Sequence, residues 1–171
     1  MSLGLIIKIW ITNILFRLQV AWDSLTARPE STDEQTYIRS YYPMLRKDLE
    51  PFNRAGLKVV EFGGSNQIIR NFLPLADFEI APNYPEVDLP NLTGYKDNSW
   101  DLVILDQIIE HIEDPFRAMA EIHRILKPGG TLAAATPFLV YIHPTPDDYW
   151  RFTESGIRKL CAKFSKVEVK S

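Results

Sequence analysis

One stretch near the middle of the chain combines a short apolar run, an acid and two glycines. Residues 57–62 read Leu-Lys-Val-Val-Glu-Phe, and residues 63–67 read Gly-Gly-Ser-Asn-Gln. A buried strand that breaks into such a turn before a helix presents backbone N–H groups, and glycine lets a ligand approach closely. The pattern predicts the ligand loop of a nucleotide-binding domain, with an ordinary strand-turn-helix joint as the alternative.

The three histidines and the single cysteine limit the metal and disulfide chemistry that the sequence predicts. His111, His123 and His143 lack the spacing of metal ligands, so no metal site is predicted. One cysteine, Cys161, excludes an intrachain disulfide framework and a multi-cysteine metal site. Because Cys161 lies in an apolar pattern of helical period, core packing is favoured over reactivity. A reducing, cytoplasmic setting fits this cysteine usage.

The composition describes a soluble globular protein of 171 residues, long enough for one domain and a modest extension. Hydrophobic residues make up 46% and charged residues 24% of the chain. The formal net charge of −3 provides no general attraction to nucleic acid, so no nucleic-acid partner is predicted.

The most hydrophobic segment is residues 3–20. Its polar members, Lys8, Thr12, Asn13 and Arg17, fall on one stripe at helical spacing, which predicts an amphipathic helix. Two internal charges make it unsuited to span a membrane, and it lacks a clear signal-peptide pattern. Three interpretations stay open: a helix packed on the domain, which is favoured, a homo-oligomer contact, or a membrane-surface anchor, which is not favoured.

Strands alternate with helices along the remaining chain. A capping box at Ser31 predicts a helix to about Tyr42, where Pro43 interrupts it, and a short helix is expected after the glycine turn. Strands are expected at 78–80, 100–105, 131–136 and 167–169, with a very short one at 87–89, and helices at 116–126 and 153–163. This predicts an α/β fold: a Rossmann-like, doubly wound, mostly parallel sheet with helices on both faces, spanning residues 57–171 after an N-terminal helical extension of residues 1–56.

Three features in fixed order then resemble one family. They are Glu61-Phe62-Gly63-Gly64, residues 98–104 (Asn-Ser-Trp-Asp-Leu-Val-Ile) with Glu110-His111 following, and residues 118–130, which end in Lys-Pro-Gly-Gly. The combination resembles the class I S-adenosylmethionine-dependent methyltransferases, specifically the small type 11 methyltransferase-domain group. The resemblance covers about Lys58 to Val169, and residues 143–153 are similar to a loop in one subset of that group.

The resemblance implies that S-adenosylmethionine is the cofactor. It implies that Glu61 orients the turn near the cofactor's amino group and that the backbone at Gly63 passes close to the methionine and ribose. A carboxylate at Glu79 would accept two hydrogen bonds from the ribose hydroxyls. The implied cofactor-binding residues are Glu61, Gly63, Gly64, Ser65, Glu79, Asp88, Leu89, Asp106 and Gln107.

The resemblance also implies an enzyme that transfers a methyl group to a small-molecule acceptor, with a glycan-related acceptor suggested by the subset. An acceptor hydroxyl needs its proton removed, and a histidine near neutral pKa suits that role. His143 and His111 are the candidate bases, with Asp148 and Tyr149 as helpers. Residues 141–152 would form the acceptor side of the pocket; in the alternative, their aromatic side chains cover the core and Arg151 pairs with an acid.

Two departures from the family pattern motivate a second hypothesis. Ser65 and Gln67 stand where the family turn usually has further glycines, and the chain ends after Val169 without the family's usual final strand. An exposed sheet edge would invite pairing with a second chain. The alternative function is therefore a catalytically inactive methyltransferase-like binding or assembly domain. A nicotinamide-dependent oxidoreductase is disfavoured because the turn lacks the G-x-G-x-x-G spacing.

Overall fold

The computed structural model describes residues 6–12, 32–63, 67–138, 142–144 and 146–170. Within these residues lie six strands and three α-helices. The strands are β1 (Ile6–Thr12), β2 (Lys58–Phe62), β3 (Asp77–Ile80), β4 (Trp100–Asp106), β5 (Leu126–Pro137) and β6 (Lys166–Lys170). The helices are α1 (Thr32–Leu49), α2 (Pro115–Ile125) and α3 (Glu154–Leu160). The strands form one sheet in the order β3-β2-β4-β5-β1-β6, and every pair is parallel.

The central strands are apolar on both faces because helices cover both faces of the sheet. In β4, Val103 and Leu105 pack in a core that also contains residues of α2 and α3. Their neighbours Leu102 and Ile104 point the other way, into a second core that contains Leu45 of α1. The predicted doubly wound, parallel architecture with helices on both faces is confirmed.

The N-terminal segment differs from the prediction, because residues 6–12 form a strand and not a helix. β1 lies between β5 and β6, where Ile9 is in register with Ala134 on one side and Val169 on the other. The isoleucine-rich run of residues 6–11 suits a strand as well as a helix, and β-branched residues favour the strand. None of the three helical interpretations therefore applies to residues 6–12; residues 13–20 lie outside the described residues.

β1 also changes the expectation of an incomplete sheet. The strand predicted at 167–169 is present as β6, and its inner neighbour is supplied from the N-terminal side of the chain. In the described residues β6 is the edge strand, and β1 occupies the position between β5 and β6. The division of the chain at residue 56 stays a prediction.

Three smaller expectations are wrong. α1 continues through Pro43, whose ring is exposed, so the missing N–H does not end the helix. The helix expected after the glycine turn is only a 3₁₀ turn, Arg70–Phe72, which stops before Pro74. Residues 87–89 form no strand; a 3₁₀ turn at Leu89–Asn91 follows instead, in a segment where prolines restrict the backbone.

Ser31 of the predicted capping box lies outside the described residues. No helix in the described part of the chain is long and apolar enough to cross a membrane.

Candidate active site

A cleft of about 810 Å³ opens at the carboxyl ends of the strands, the edge at which open α/β sheets bind ligands. Its volume lies in the range of about 300–1,000 Å³ that is usual for small-molecule and cofactor sites. It is lined by residues that follow β2, β3, β4 and β5 along the chain. Of the predicted site residues, the cleft lining contains Gly63, Asp88, Leu89, Gln107, His111, His143 and Tyr149.

Gly63 ends β2 in a conformation that only glycine adopts without strain, with φ of +113°. A Cβ atom at this position would overlap the backbone carbonyl oxygen of Asp106, at the end of β4. The two strand ends therefore approach each other closely, and Gly63 offers the cleft bare backbone. Gly64 and Ser65, also predicted to bind the cofactor, lie outside the described residues.

Gln107 adds a hydrogen-bond donor to the wall of the cleft. It follows β4 directly with φ of +52°, and its backbone N–H donates to the carbonyl of Ala135 over 3.1 Å. Its side-chain Nε2 is buried and has no hydrogen-bond partner among the described residues. Since buried polar groups are seldom left unpaired, this amide is suited to a ligand.

Asp106 and Glu61 are both buried and lie behind the cleft, outside its lining. The hydroxyls of Tyr41 and Tyr42 donate to Asp106 Oδ1 and Oδ2, each over 3.0 Å. Burial raises the pKa of Asp106 to about 6, the two tyrosine bonds oppose this rise, and the charge of Glu61 adds to it. Asp106 also approaches Gly63 closely through its backbone carbonyl oxygen. Tyr41 and Tyr42 thus hold Asp106 at both of its carboxylate oxygens.

The two acids proposed for the far end of the cofactor differ in position. Asp88 lines the cleft beside Leu89. Glu79 is exposed, lies outside the lining, and accepts a hydrogen bond from the Tyr95 hydroxyl. Burial is the main cause of the raised pKa of Tyr95, and the nearby Glu79 charge adds to it. Of the two, Asp88 has the better access to a ligand in the cleft.

A cluster of Glu110, His111 and His143 lies at the cleft wall. Glu110 is fully buried, and its Oε1 lies 3.8 Å from His111 Nε2 and 3.9 Å from His143 Nε2. Its other oxygen, Oε2, accepts a hydrogen bond from Thr136 Oγ1 over 3.3 Å. Burial raises the pKa of Glu110 to about 7, against the lowering effect of the Thr136 bond. The two imidazole rings meet edge to face, with centroids 4.9 Å apart.

The loop after β5 is held in place by Asp148 and Arg151. Arg151 donates to both carboxylate oxygens of Asp148, over 2.5 and 2.6 Å, and these bonds hold the pKa of Asp148 well below its usual range. Asp148 Oδ2 also accepts from the backbone N–H of His143 and lies 3.3 Å from its Nδ1. Asp148 thus acts on His143 and does not line the cleft.

The aromatic residues of the same loop were expected either to line the pocket or to cover the core, and the structure shows both arrangements. Phe152 is buried and stacks with Trp150 at a centroid distance of 5.8 Å. Trp150 Nε1 donates to the carbonyl of Ile112 over 2.8 Å. Tyr149 is exposed, lines the cleft, and donates its hydroxyl to Asp147 Oδ2 over 3.2 Å. Phe152 therefore covers the core and Tyr149 borders the cleft. Arg151 pairs with Asp148, as the alternative interpretation of this loop predicted.

A profile of the methyltransferase-domain family matches residues 49–134, just over half of the chain. The chain belongs to this family. Its resemblance to class I S-adenosylmethionine-dependent methyltransferases, inferred from the three sequence features, is thereby confirmed. No curated protein matches the chain.

Solved structures agree with this methyltransferase fold. One similar chain comes from the complex between the Haloferax volcanii Trm112 methyltransferase activator and a candidate methyltransferase. It has 21% identity and a TM-score of 0.59, over 84% of this chain and 74% of that one. Another is a candidate sarcosine dimethylglycine methyltransferase from Galdieria sulphuraria, with 16% identity and a TM-score of 0.57, over 76% of this chain and 62% of that one. At these identities the likeness concerns the fold alone.

In this methyltransferase domain, the fold brings together residues that lie far apart in the sequence. One ligand atom from each of Glu110, His111 and His143 lies within 4.8 Å of the others, although the spacing of the histidines predicts no metal site. His123 lies elsewhere, against the ring of Phe164. A signal was present: Glu110-His111 follow β4 and His143 follows β5, and the carboxyl ends of adjacent parallel strands meet at one edge.

Proposed function

We propose that this methyltransferase domain binds S-adenosylmethionine in the 810 Å³ cleft and transfers its methyl group to a small-molecule acceptor. One observation carries the proposal: the same cleft is lined by Gly63, which directly follows β2, and by His111 and His143. Family membership supports methyl transfer. The identity of the acceptor and the roles of the individual residues are part of the proposal.

Three residues of the cleft fit the cofactor. Gly63 provides backbone without a side chain, Gln107 Nε2 provides a buried donor without a partner among the described residues, and Asp88 provides a carboxylate acceptor. The bound cofactor supplies a methyl group that is activated by the positive sulfur. The chain's own contribution is to hold the acceptor in line with this group, and alignment of this kind is worth up to about 7–11 kcal/mol.

His143 is proposed to take the proton of an acceptor hydroxyl on its Nε2. Asp148, itself held by Arg151, lies against Nδ1 of the same ring and orients it. Tyr84 and Tyr149 line the cleft and stay 66% and 46% exposed, so their ring faces are available to an acceptor such as a sugar derivative. Loss of a general base typically slows a reaction about 10²- to 10⁴-fold, which is the range expected for His143→Ala.

Calorimetric titration with the demethylated cofactor tests the binding part of the proposal. Because a hydrogen bond to a charged group is worth about 1.5–3 kcal/mol, Asp88→Asn should weaken binding about 10- to 150-fold. Glu79→Gln is the matched control and should change the affinity less than about 3-fold, a change of well under 1 kcal/mol. Equal losses in both variants would return Glu79 to the site, and an unchanged affinity in Asp88→Asn would remove Asp88 from it.

The alternative, a catalytically inactive binding or assembly domain, has one observation in its favour. Gln67, in the turn where the family usually has glycine, carries its side chain on a left-handed backbone with φ of +69°. The chain of the Haloferax complex described above comes from an assembly with an activator protein, which motivates a protein partner for this alternative. Absence of binding heat with the demethylated cofactor at millimolar concentration would favour the inactive domain.

A further inference from the structure

The polar atoms of Glu110, His111 and His143 that face one another are too far apart to form hydrogen bonds with each other. Glu110 Oε1 is buried and has no hydrogen-bond partner among the described residues. The two nearest basic atoms, the Nε2 atoms of His111 and His143, lie 3.8 and 3.9 Å away. These separations exceed the length of a hydrogen bond, so the three atoms face one another across a gap.

The opposite side of each imidazole ring is already engaged. His111 Nδ1 lies 2.5 Å from the backbone carbonyl oxygen of Asp147, and because that oxygen only accepts, Nδ1 carries the proton. His143 Nδ1 lies 3.3 Å from the Asp148 carboxylate. Arg151 Nη2 lies 3.5 Å from the same nitrogen and can only donate to it, whereas the nearer Asp148 oxygen can only accept, so the first contact suits an unprotonated Nδ1 and the second a protonated one. In neutral rings with the proton on Nδ1, both Nε2 atoms present lone pairs.

Two lone pairs and a carboxylate oxygen that point into one gap repel one another unless a proton, a hydrogen-bonding water molecule or a cation lies between them. The same pattern is usual at metal centres, where a histidine ligand donates its other N–H to a carboxylate or a backbone carbonyl. Here each outer partner is of that kind: the carbonyl of Asp147 for His111 and the carboxylate of Asp148 for His143.

We propose that Glu110 Oε1 and the Nε2 atoms of His111 and His143 bind a divalent transition-metal ion, with Zn²⁺ the best match. Two imidazole nitrogens and one carboxylate oxygen form a ligand set of open zinc sites, with bonds of about 2.0–2.2 Å. Tetrahedral bonds of that length place ligand atoms roughly 3.3–3.6 Å apart. The two spacings from Glu110 Oε1, 3.8 and 3.9 Å, need a contraction of about half an ångström on binding, and all three ligand atoms lie within 4.8 Å of one another before it.

The fourth position of this ion would face the methyltransferase cleft, because His111 and His143 both line it. An acceptor hydroxyl bound there would release its proton to solvent more readily, as metal-bound water does. The inference does not rest on the proposed function, since metal binding is measured without cofactor or acceptor. It does compete with one part of that function: the lone pair on His143 Nε2 either takes a proton or binds the ion.

The test is titration of the metal-stripped full chain with Zn²⁺, followed by Co²⁺ substitution as an optical probe of the ligand field. The wild-type chain should bind one ion, and its Co²⁺ form should show the visible bands of a four-coordinate site. His111→Ala and His143→Ala should each weaken binding at least about 100-fold. Asp148→Asn, which replaces the outer partner of His143 and also weakens the pair with Arg151, should weaken it about 10- to 100-fold.

His123→Ala is the matched control, because it removes a histidine outside the cluster and should leave the affinity unchanged. Glu110→Gln keeps the shape of the buried side chain and covers the case in which a histidine variant fails to fold. No binding by the wild-type chain would overturn the inference, as would equal binding by the His111→Ala/His143→Ala double variant; either result points to water in the gap. Binding of the demethylated cofactor, measured separately, shows whether the proposed function stands or fails on its own.

Discussion

Substitution of Asp106 by asparagine should remove a specific pH dependence from the stability of this domain. The ordinary pKa of the side chain is 3.8, and in the folded chain burial raises it to about 6. Between these values the folded chain binds more protons than the unfolded chain. The stability that Asp106 contributes is therefore fully present below about pH 3.8 and is lost as the pH rises through about 6.

The size of the effect follows from the difference between the two pKa values. About two pH units at 1.36 kcal/mol per unit correspond to about 3 kcal/mol. Asparagine does not titrate and still offers the tyrosines a carbonyl oxygen. Between about pH 4 and about pH 7.5, the free energy of unfolding of the wild-type chain should therefore fall by about 2–3 kcal/mol relative to Asp106→Asn, because part of the effect lies below pH 4.

Urea denaturation at a series of pH values measures this difference. Other titrating groups act in both proteins and cancel to first order, so the comparison isolates Asp106. The reasoning is refuted if the two stability curves run parallel within about 0.5 kcal/mol, a spread that ordinary surface substitutions also produce.

A second pair of variants tests the hydrogen bonds by which Tyr41 and Tyr42 hold Asp106. Tyr41→Phe deletes a hydrogen bond to a buried charged group and should cost about 1.5–3 kcal/mol at about pH 7.5. Tyr149→Phe, which removes a hydroxyl from an exposed ring, should cost under about 0.5 kcal/mol. Similar costs for both would argue against a charged, buried Asp106 at that pH.

Three further variants test the turn, the N-terminal strand and the loop after β5. Gly63→Ala should cost about 1–3 kcal/mol from backbone strain alone and should abolish cofactor binding by calorimetry, whereas Gly94→Ala, which meets no atom within 4 Å, should change neither. Ile9→Pro removes a ladder donor from an interior strand and should lower the free energy of unfolding by about 3 kcal/mol or more; an unchanged urea midpoint would exclude β1 from the sheet. Arg151→Lys replaces two hydrogen bonds to the Asp148 carboxylate with the contact of a single ammonium group and should lower the free energy of unfolding by about 1–3 kcal/mol in urea denaturation. An unchanged free energy of unfolding would mean that the bidentate contact contributes little to stability.

The parts of the fold that were predictable are those in which local pattern and tertiary role agree. The apolar run of β4 and the cap-proline start of α2 at Asp114 satisfy their local preferences and their packing together. Residues 6–11 show the opposite case, because their order of apolar and polar residues fits both a helical stripe and a strand, and only the β-branched isoleucines favour the strand locally. The pairing of β1 with both β5 and β6 stabilises the strand, and no local pattern in residues 6–11 encodes this tertiary pairing.

The site divides in the same way. The family resemblance predicted Gly63 and Asp88 in the ligand site, and both line the cleft; of the two, only Gly63 also has a local signal, the glycine turn that follows a strand. Glu110 gave no such signal, since its burial depends on the loop after β5, whose Tyr149 and Trp150 donate backbone N–H groups to the Glu110 carbonyl. A buried acid next to two histidines arises from the meeting of three chain segments.

Helix α1 is coupled to Gly63 and the wall of the cleft through Asp106, although α1 precedes every motif by which the family was inferred. The backbone carbonyl of Asp106 leaves no space for a Cβ on Gly63, so the position of Asp106 sets the closest approach of β2 and β4. The side chain of the same residue is held at both oxygens by tyrosines of α1. A shift of α1 would therefore move the wall of the cleft or break two hydrogen bonds to a buried carboxylate. Residues 32–49 thus take part in shaping the ligand site as well as in covering the sheet.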